Sequence, residues 1–245
     1  MTDGLQKEAS NEVNIIYADD NMVVVNKPPG VSAHRGETVT GETVSDFLVA
    51  TFPEIATVGD DPANRPGIVH RLDKDTSGVM VAARNQATFE ALKELFKSRK
   101  TEKIYWAIVC GALAKSDGVI TAPIGRLVAN PLKRGVEQGR SRIRGARDAV
   151  TEYRVLARSS AYSLVELKPK TGRMHQLRMH TKSIGHPIAC DKLYGGKNVC
   201  CPENCHRQLL HARSLSFSFP EGRRWKFEAD VPEDFARAMQ GIGDE

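Results

Sequence analysis

The sequence predicts an α+β fold with a largely antiparallel, mixed sheet flanked by helices, and two observations support this prediction. Short β-favouring runs outnumber the segments with helical periodicity. These runs also come in local groups along the chain, as the strands of antiparallel sheets do. The 245 residues are 40% hydrophobic and 27% charged, which suits a globular protein with a substantial core.

Local patterns place the predicted elements in order. The polar turn Asp19-Asp20-Asn21 between two apolar runs predicts a hairpin, and Asn85 is a candidate N-cap for an amphipathic helix. Strands are predicted at Ile15–Tyr17, Met22–Val25, Ile104–Val109, Val119–Ala122, Thr151–Leu156, Tyr162–Leu167, Leu215–Phe219 and Trp225–Phe227. Helices are predicted at Thr43–Phe52, from Asn85 to about Lys97, and at Arg173–Ile184.

Composition and charge exclude several classes of protein. No apolar run approaches the length of a membrane span, and the first residues lack the pattern of a signal peptide. The net charge of +5, with a pI near 9.0, permits a polyanionic partner without demanding one. Five cysteines, an odd number, argue against a disulfide framework and for a reducing cytoplasm. We expect a loose tail at residues 1–12 and one domain at 13–245.

The most informative stretch lies between two apolar segments. Ile68-Val69 leads into His70-Arg71-Leu72-Asp73-Lys74-Asp75-Thr76-Ser77-Gly78, and Val79–Ala83 is apolar again. This pattern predicts a tight polar turn between buried segments, with Gly78 freeing the backbone where the chain re-enters the core. Such a turn can hold a carboxylate at the edge of a cleft beside an arginine. The alternative is an ordinary surface turn with a weak salt bridge.

His70-Arg71-Leu72-Asp73, followed by Thr76-Ser77-Gly78, resembles the signature of the RluA-type pseudouridine synthases, which isomerise uridine in RNA. Four further segments resemble those of the family in the same order, and together they cover roughly Ile15 to Pro232: Asn26–Gly30, Lys103–Gly111, Leu167–His180 and Gln208–Ala212. The resemblance implies the pseudouridine synthase fold and an RNA partner, either ribosomal or transfer RNA. It also implies that no cofactor is needed.

The expected organisation follows from the same resemblance. Members of the family often carry a small RNA-binding domain before the catalytic one, and only about a dozen residues precede the first predicted strand. We therefore expect no separate N-terminal RNA-binding domain, no membrane association, a monomer and a cytoplasmic location.

Pseudouridine formation detaches the base from ribose and rejoins it through carbon 5, so it needs a carboxylate near that linkage. The resemblance implies that Asp73 is this carboxylate and that Tyr105 lies against the base, as a candidate for the later proton transfer. It also implies that Arg178 pairs with Asp73, where a bidentate fork would orient the carboxylate and keep it ionised. Asp75, at a variable position of the motif, is interpreted as a turn residue.

The same segments supply candidates for substrate binding. Arg71 is implied to help displace the target base, because a flat guanidinium can occupy the vacated stacking space. His70 is more typical of a structural, hydrogen-bonded residue than of a proton carrier, and Arg173 suits a phosphate or structural contact. The candidates are His70, Arg71, Thr76, Arg173 and Leu177.

An arginine-rich span follows Arg126. Nine basic and three acidic residues lie between Arg126 and Arg158, and the glycines from Gly135 to Gly145 predict a mobile loop. A charge run is ordinarily a solvated face, but beside an RNA-modifying site we favour backbone contact. We therefore expect Arg140, Arg142 and Arg144 to bind RNA phosphates.

The segment Cys200-Cys201-Pro202-Glu203-Asn204-Cys205-His206 could suggest a zinc site, with Cys190 as a further ligand. The spacing is irregular and no second Cys-x-x-Cys pair exists, so a loop with free thiols and no metal is favoured.

Two rival functions remain. A non-catalytic RNA-binding or ribosome-assembly factor would not require a carboxylate facing a polyanion. A glycosidase or nucleosidase typically uses two carboxylates, and only one is well placed here.

Overall fold

The computed structural model describes residues 12–36, 39–137, 142–197, 199–219 and 222–242. In that part of the chain the helices are α1 (Val44–Thr51), α2 (Gln86–Lys97), α3 (Gln176–Ser183) and α4 (Glu233–Gln240), with a short 3₁₀ turn at Pro53–Thr57. The strands are β1 (Asn14–Ala18), β2 (Met22–Lys27), β3 (Ser77–Ala83), β4 (Glu102–Cys110), β5 (Asp117–Ile120), β6 (Ile124–Leu127), β7 (Arg134–Val136), β8 (Ile143–Arg147), β9 (Thr151–Arg158), β10 (Tyr162–Pro169), β11 (Leu210–Ser218) and β12 (Arg224–Glu228).

Nine of these strands form one central sheet. Its order is β1-β2-β3-β11-β4-β10-β9-β5, with β12 paired to β11. Within the described ranges β3 and β11 run parallel, and every other strand pair is antiparallel. The largely antiparallel, mixed sheet of an α+β fold is therefore confirmed. β3 and β11 bring the turn before Ser77 and the segment before Leu210 to the same end of the sheet.

Helices cover both faces of the sheet around β3. Because successive side chains of a strand point to opposite faces, Val81 packs with Phe89 and Leu92 of α2, while Met80 packs on the other side with Leu48 of α1. All seven residues of β3 are buried, as expected for a strand that is covered on both faces. The strand that follows the polar turn is thus fixed in the middle of the core.

Several predicted elements are confirmed and some boundaries shift. The N-terminal hairpin forms, and α2 begins after Asn85, whose side chain accepts a hydrogen bond from the Thr88 amide at 2.9 Å. α3 begins at Gln176 and not at Arg173, because His175 has the left-handed backbone conformation, φ 56°. The strand predicted from Leu215 begins five residues earlier, at Leu210, and α4 was not predicted.

The expectation of a loop throughout Gly135–Gly145 was wrong for its described ends. β6, β7 and β8 form a separate three-stranded sheet in the order β7-β6-β8. Gly135 lies so close to neighbouring side chains that an added Cβ would meet Leu127 and Ile143 within 2.8 Å. These strands carry arginine and glycine in place of alternating apolar residues, so periodicity gave no signal for them.

The cysteine prediction was also wrong. Cys110 is disulfide-bonded to Cys200 and Cys190 to Cys201, which leaves Cys205 as a buried free thiol. An odd number of cysteines excludes disulfide pairing of all five, but it does not exclude that four of them form two disulfides. None of the helices in the described ranges has both the length and the apolar content needed to cross a lipid bilayer.

Candidate active site

Residues 73–76 form a tight turn, the Asp73 turn, that leads directly into β3. The Thr76 amide donates to the Asp73 carbonyl at 3.0 Å, and Gly78 has φ +119°. A Cβ at Gly78 would lie 2.2 Å from the Ala212 carbonyl oxygen on β11. The glycine therefore lets two backbones approach each other at the centre of the sheet, as the sequence predicted.

Lys27 fastens this turn from one side. Its side chain is fully buried, and Nζ donates to the carbonyl oxygens of Pro28, Val31 and Lys74, each at 2.8 Å. Burial lowers the pKa of Lys27 to about 7. All three ammonium donors are satisfied by backbone, so this lysine holds a turn and contacts no substrate-facing group.

Arg207 and Gln208 fasten the turn from the other side. Arg207 Nη1 donates to the Asp75 carbonyl at 3.0 Å, while its Nε and Nη2 form a fork with the Asp234 carboxylate at 2.7 and 2.9 Å. Gln208 Nε2 donates to Thr76 Oγ1 at 3.2 Å. The opening and closing segments of the family resemblance thus meet at the Asp73 turn, where they restrict its backbone.

Arg178 of α3 lies between two carboxylates. Nη1 donates to Asp73 Oδ2 at 3.0 Å, and Nε and Nη2 donate to the two oxygens of Asp191 at 2.7 Å each. Asp191 is fully buried and also accepts the amides of Leu193 and Tyr194 at 3.0 Å. The pairing of Arg178 with Asp73 is present in the structure, but the bidentate fork goes to Asp191. Asp191 therefore orients the arginine, and the arginine presents one N–H to Asp73.

Electrostatics favour the charged arginine in this position. Burial alone would lower the pKa of Arg178, but the hydrogen bonds and negative charges of Asp191 and Asp73 outweigh it and raise the pKa above its ordinary value. The Arg178 guanidinium also lies 4.9 Å from the centre of the Tyr194 ring. Asp73, with 25% of its side chain exposed, is thus held by a buried, permanent cation.

Tyr105 of β4 packs against the core beside the Asp73 turn. Burial, together with the nearby Asp73 carboxylate, raises the pKa of its phenol well above the ordinary value. At neutral pH its hydroxyl therefore carries its proton and can donate a hydrogen bond, and a part in the later proton transfer stays a prediction.

A cavity of about 430 Å³, the site cavity, opens at the Asp73 turn. Asp73 and Asp75 are the carboxylates in its wall, and five arginine or lysine side chains outnumber them. The wall consists of Arg71, Asp73, Lys74, Asp75, His175, Arg178, Cys190, Lys192, Leu193, His206, Arg207 and Gln208. Such a surface suits an anionic ligand that brings one reacting group to Asp73.

Other predicted site residues lie elsewhere. His70 does not line the site cavity: its ring stacks on Phe96 at 4.3 Å, and Nε2 accepts the Val81 amide at 3.0 Å, as a structural histidine would. Thr76 and Leu177 are buried, and Leu177 is part of the core beneath α3. Arg71 is exposed at the rim of the cavity, where displacement of a base remains a prediction.

A second concave surface, the arginine groove, has a volume of about 760 Å³. It carries five arginines and no acidic residue: Arg126, Arg134, Arg144, Arg147 and Arg173. Arg173 and Met174 line this groove, and the next residue, His175, lines the site cavity. Arg142 is exposed outside the lining, and Arg140 lies outside the described residues.

Sequence reasoning missed Asp191, His175 and Tyr194. His175 lies within the basic segment Leu167–His180, so its closeness to Arg178 in sequence could be recognised. The orientation of its side chain depends on a positive backbone φ, which no sequence pattern predicts. Across the described ranges, no group of three or more His, Cys, Asp and Glu side chains is arranged to hold a metal ion.

Comparison with known proteins gives a consistent result. The profile of the RNA pseudouridylate synthase family matches residues 21–183. An uncharacterized RNA pseudouridine synthase of Synechocystis is 38% identical over 231 residues, which are 93% of this chain and 68% of the relative. The ribosomal large subunit pseudouridine synthase D of Pseudomonas aeruginosa is 38% identical over 236 residues, which are 91% of this chain and 70% of the relative.

A solved structure agrees with these sequence relatives. Human RNA pseudouridylate synthase domain containing 4 superposes with a TM-score of 0.73 at 29% identity, covering 94% of this chain and 92% of that one. The Asp73 turn, Tyr105 and Arg178 all come from segments that carry the resemblance. The chain belongs to the RNA pseudouridylate synthase family and, as its RluA-type segments implied, is an isomerase that forms pseudouridine in RNA.

Proposed function

We propose that Asp73 is the catalytic carboxylate of a pseudouridine synthase that acts on large-subunit ribosomal RNA. One observation carries the proposal: Asp73 lies in the wall of a cationic cavity, where Arg178 holds one of its oxygens at 3.0 Å. Hydrogen bonds from Lys27 and Arg207 to backbone carbonyls, and from Gln208 to the Thr76 hydroxyl, hold its turn in place. A carboxylate held in this way suits chemistry that depends on position.

The bonds and protons of the isomerisation balance without a cofactor. The bond between ribose C1′ and N1 of uracil breaks, and a bond between C1′ and C5 replaces it. The proton on C5 leaves, and N1 gains one, so the product is an isomer of the substrate. Asp73 acts at the sugar–base linkage, and Arg178 keeps a positive charge beside it throughout.

Tyr105 supplies an aromatic ring and a neutral hydroxyl to the base. A ring face suits a pyrimidine that has been taken out of the stack. Because its pKa is raised by burial and by Asp73, the hydroxyl remains a donor in the working range. We infer that it holds the detached uracil in place while the base turns.

We infer that the RNA backbone runs from the arginine groove into the site cavity. The consecutive residues Arg173, Met174 and His175 line first one and then the other. Phosphate contacts supply most of the sequence-independent affinity for RNA, so a surface with five arginines and no acid suits this role.

The ribosomal substrate is supported by relatives named ribosomal large subunit pseudouridine synthase D, from Pseudomonas aeruginosa and Xanthomonas campestris, each 38% identical to this chain. Transfer RNA is the second candidate. We place the reaction in the cytoplasm, because both RNAs are found there. Mapping pseudouridine in cells with and without this gene identifies the RNA and the position.

The catalytic role is tested with Asp73→Asn, which keeps the size of the side chain and one acceptor oxygen for Arg178 but removes the negative charge. We expect the release of tritium from carbon 5 of uridine-labelled RNA to fall by at least about a hundredfold. RNA affinity and the melting temperature should stay near those of the parent.

Asp75→Asn is the matched control. Asp75 is two residues away in the same turn, and its carboxylate makes no hydrogen bond or ion pair with any other described residue. It should retain most of the activity. If Asp73→Asn also keeps its rate, Asp73 is not the catalytic carboxylate and the non-catalytic RNA-binding alternative gains support.

A further inference from the structure

His175 approaches the Asp73 carboxylate at the oxygen that Arg178 does not hold. Its Nε2 lies 3.8 Å from Asp73 Oδ1, whereas Arg178 Nη1 holds Oδ2. Only 11% of the His175 side chain is exposed, so the ring is fixed by its surroundings. The two carboxylate oxygens thus have different partners.

The backbone of His175 is held in an unusual conformation. It precedes α3 with φ 56° and ψ 24°, and its side chain makes no capping bond to that helix. The left-handed region costs a non-glycine residue about 1 kcal/mol or more, so the surroundings must impose it. They do so through Gln176, whose Oε1 accepts the Arg173 amide at 2.9 Å and the Thr171 hydroxyl at 2.7 Å.

Tyr194 determines which ring nitrogen of His175 carries the proton. Tyr194 Oη accepts the Arg134 amide at 2.9 Å and lies 2.6 Å from His175 Nδ1. Within the described part of the chain, Nδ1 is the acceptor available for the hydroxyl proton. Tyr194 therefore donates to Nδ1, and the neutral imidazole carries its proton on Nε2, facing Asp73.

The charges around the ring keep it neutral. Burial lowers the pKa of His175, and the positive charges of Arg178 and Arg134 lower it further, against the opposing effect of Asp73 and Asp191. These groups come from every element packed around the ring: the Asp73 turn, α3, β7 and the Asp191–Tyr194 loop.

We propose that His175 is a positioning residue for Asp73: its Nε2–H, directed by the Tyr194 hydroxyl, donates to Oδ1 when RNA occupies the cavity. The inference rests on the proposed role of Asp73. The separation of 3.8 Å is too long for a hydrogen bond in the free protein. Such distances commonly shorten when substrate binds. With both oxygens held, rotation of the carboxylate is restricted, and the remaining lone pairs face the sugar.

The test compares two replacements of His175. His175→Phe keeps an aromatic ring of similar size and removes the donor, so kcat should fall about tenfold to a hundredfold with KM nearly unchanged, since small misplacements have effects of this size. His175→Gln restores an N–H donor that does not titrate, so kcat should recover to within about threefold of the parent.

Two further measurements separate positioning from structure. Tyr194→Phe keeps the ring beneath Arg178 but removes the hydroxyl, and kcat should fall about threefold to tenfold. The parent should lose activity on the acid side as Nδ1 is protonated and can no longer accept from Tyr194. In His175→Gln the activity should fall less steeply toward acid pH than it does in the parent. His186→Gln, which replaces a histidine outside both the site cavity and the arginine groove, is the matched control and should behave as the parent.

The inference is overturned if His175→Phe retains the parent kcat, if His175→Gln is as impaired as His175→Phe, or if the loss falls on KM alone. If His175→Phe melts at a much lower temperature than the parent, the kcat values of His175→Gln and Tyr194→Phe test the inference in its place. An inactive Asp73→Asn beside a fully active His175→Phe defeats this inference alone. An active Asp73→Asn defeats the proposed function itself.

Discussion

Single side chains determine the geometry around Asp73, and the sequence allowed some of them to be predicted. Asp73, Arg178 and Tyr105 lie in segments with recognisable residue patterns. The structure pairs Arg178 with Asp73 and buries Tyr105 near that carboxylate, outside the lining of the site cavity. Asp191 could not be predicted, because it contributes through a buried ion pair. This ion pair depends on how the segment that carries Asp191 folds back onto α3, and such a contact leaves no periodic signal in the chain.

Lys27 illustrates how a conspicuous residue can have a structural role. A buried charge is costly unless it is fully hydrogen-bonded, and here three carbonyl oxygens at 2.8 Å supply the partners. The sequence located the lysine at the end of β2 but contained no indication that its ammonium turns inward to hold Lys74.

We predict that Lys27→Met destabilises the protein by about 3–5 kcal/mol, because it removes the ammonium donor from three carbonyl oxygens, of which the Lys74 carbonyl keeps the Gly30 amide as a donor. Urea unfolding followed by fluorescence measures the change. Activity should fall as well, since the Lys74 carbonyl anchors the Asp73 turn. Lys74→Met, which removes an exposed ammonium and leaves that carbonyl in place, is the control and should have nearly the parent stability. A loss below about 1 kcal/mol in Lys27→Met would contradict the role assigned to the ammonium.

At the scale of elements, the strands with alternating apolar residues and the capped helix α2 were predictable. The small β7-β6-β8 sheet was not, because its strands are short and carry arginine where apolar residues would signal a strand. The start of α3 was predicted three residues too early for a related reason. Residues 173–175 have helical composition, but the left-handed His175 interrupts the backbone.

The close approach of β3 and β11 makes Gly78 irreplaceable. Gly78→Ala should destabilise the protein by about 3 kcal/mol or more, because the new methyl would overlap the Ala212 carbonyl and φ +119° is strained for alanine. Gly185→Ala is the matched control, with φ +87° and open space around the new Cβ. It should cost only about 1 kcal/mol. Equal losses in thermal or urea unfolding would show that overlap with β11 is unimportant.

The arginine groove should contribute to RNA affinity but not to the choice of the target uridine. Replacing Arg126, Arg144 and Arg147 together by Gln should weaken binding to target and non-target RNA alike, because phosphates carry the same charge at every site. The log–log salt dependence should decrease by about 0.7 for each single-strand phosphate that the variant no longer neutralises.

A triple change of Lys100, Lys115 and Lys182 to Gln removes the same charge from exposed positions outside both concave surfaces. Filter binding at several salt concentrations should leave this control close to the parent. An unchanged salt slope in the arginine variant, or a new modified uridine, would contradict the proposal.

For the molecule as a whole, buried histidines link stability to pH. His211 is fully buried: its Nε2–H donates to the Ala229 carbonyl at 3.1 Å, and its neutral Nδ1 accepts from Ser77 Oγ at 2.9 Å. Burial lowers its pKa to about 4. An unfolded histidine titrates near pH 6.5. Between these values the unfolded chain binds the extra proton, so the free energy of unfolding falls as the pH falls.

We predict a contribution of roughly 1.4 kcal/mol per pH unit from His211 between pH 6.5 and about 4. In His211→Gln the stability should therefore decline less steeply over that window than in the parent, whatever its absolute value. Urea unfolding at pH 6.5, 5.5 and 4.5 gives the slope. His206→Gln replaces an exposed loop histidine and should keep the slope of the parent. Identical slopes in both variants would exclude His211 as the source.

The parallel pair of β3 and β11 also has a consequence for the newly made chain. Ser77 and His211 are hydrogen-bonded across 134 positions of sequence, a stretch that takes roughly 7–27 s to synthesise at about 5–20 residues per second. Until residues 210–218 leave the ribosome, one edge of a buried, mainly apolar strand has no neighbour, and such edges readily join those of other chains. Arg207 and Gln208 arrive equally late, so for that interval the Asp73 turn is held from the Lys27 side and lacks its second set of hydrogen bonds. An unfinished chain therefore cannot modify RNA, and protection of this edge by a chaperone should raise the yield of active protein.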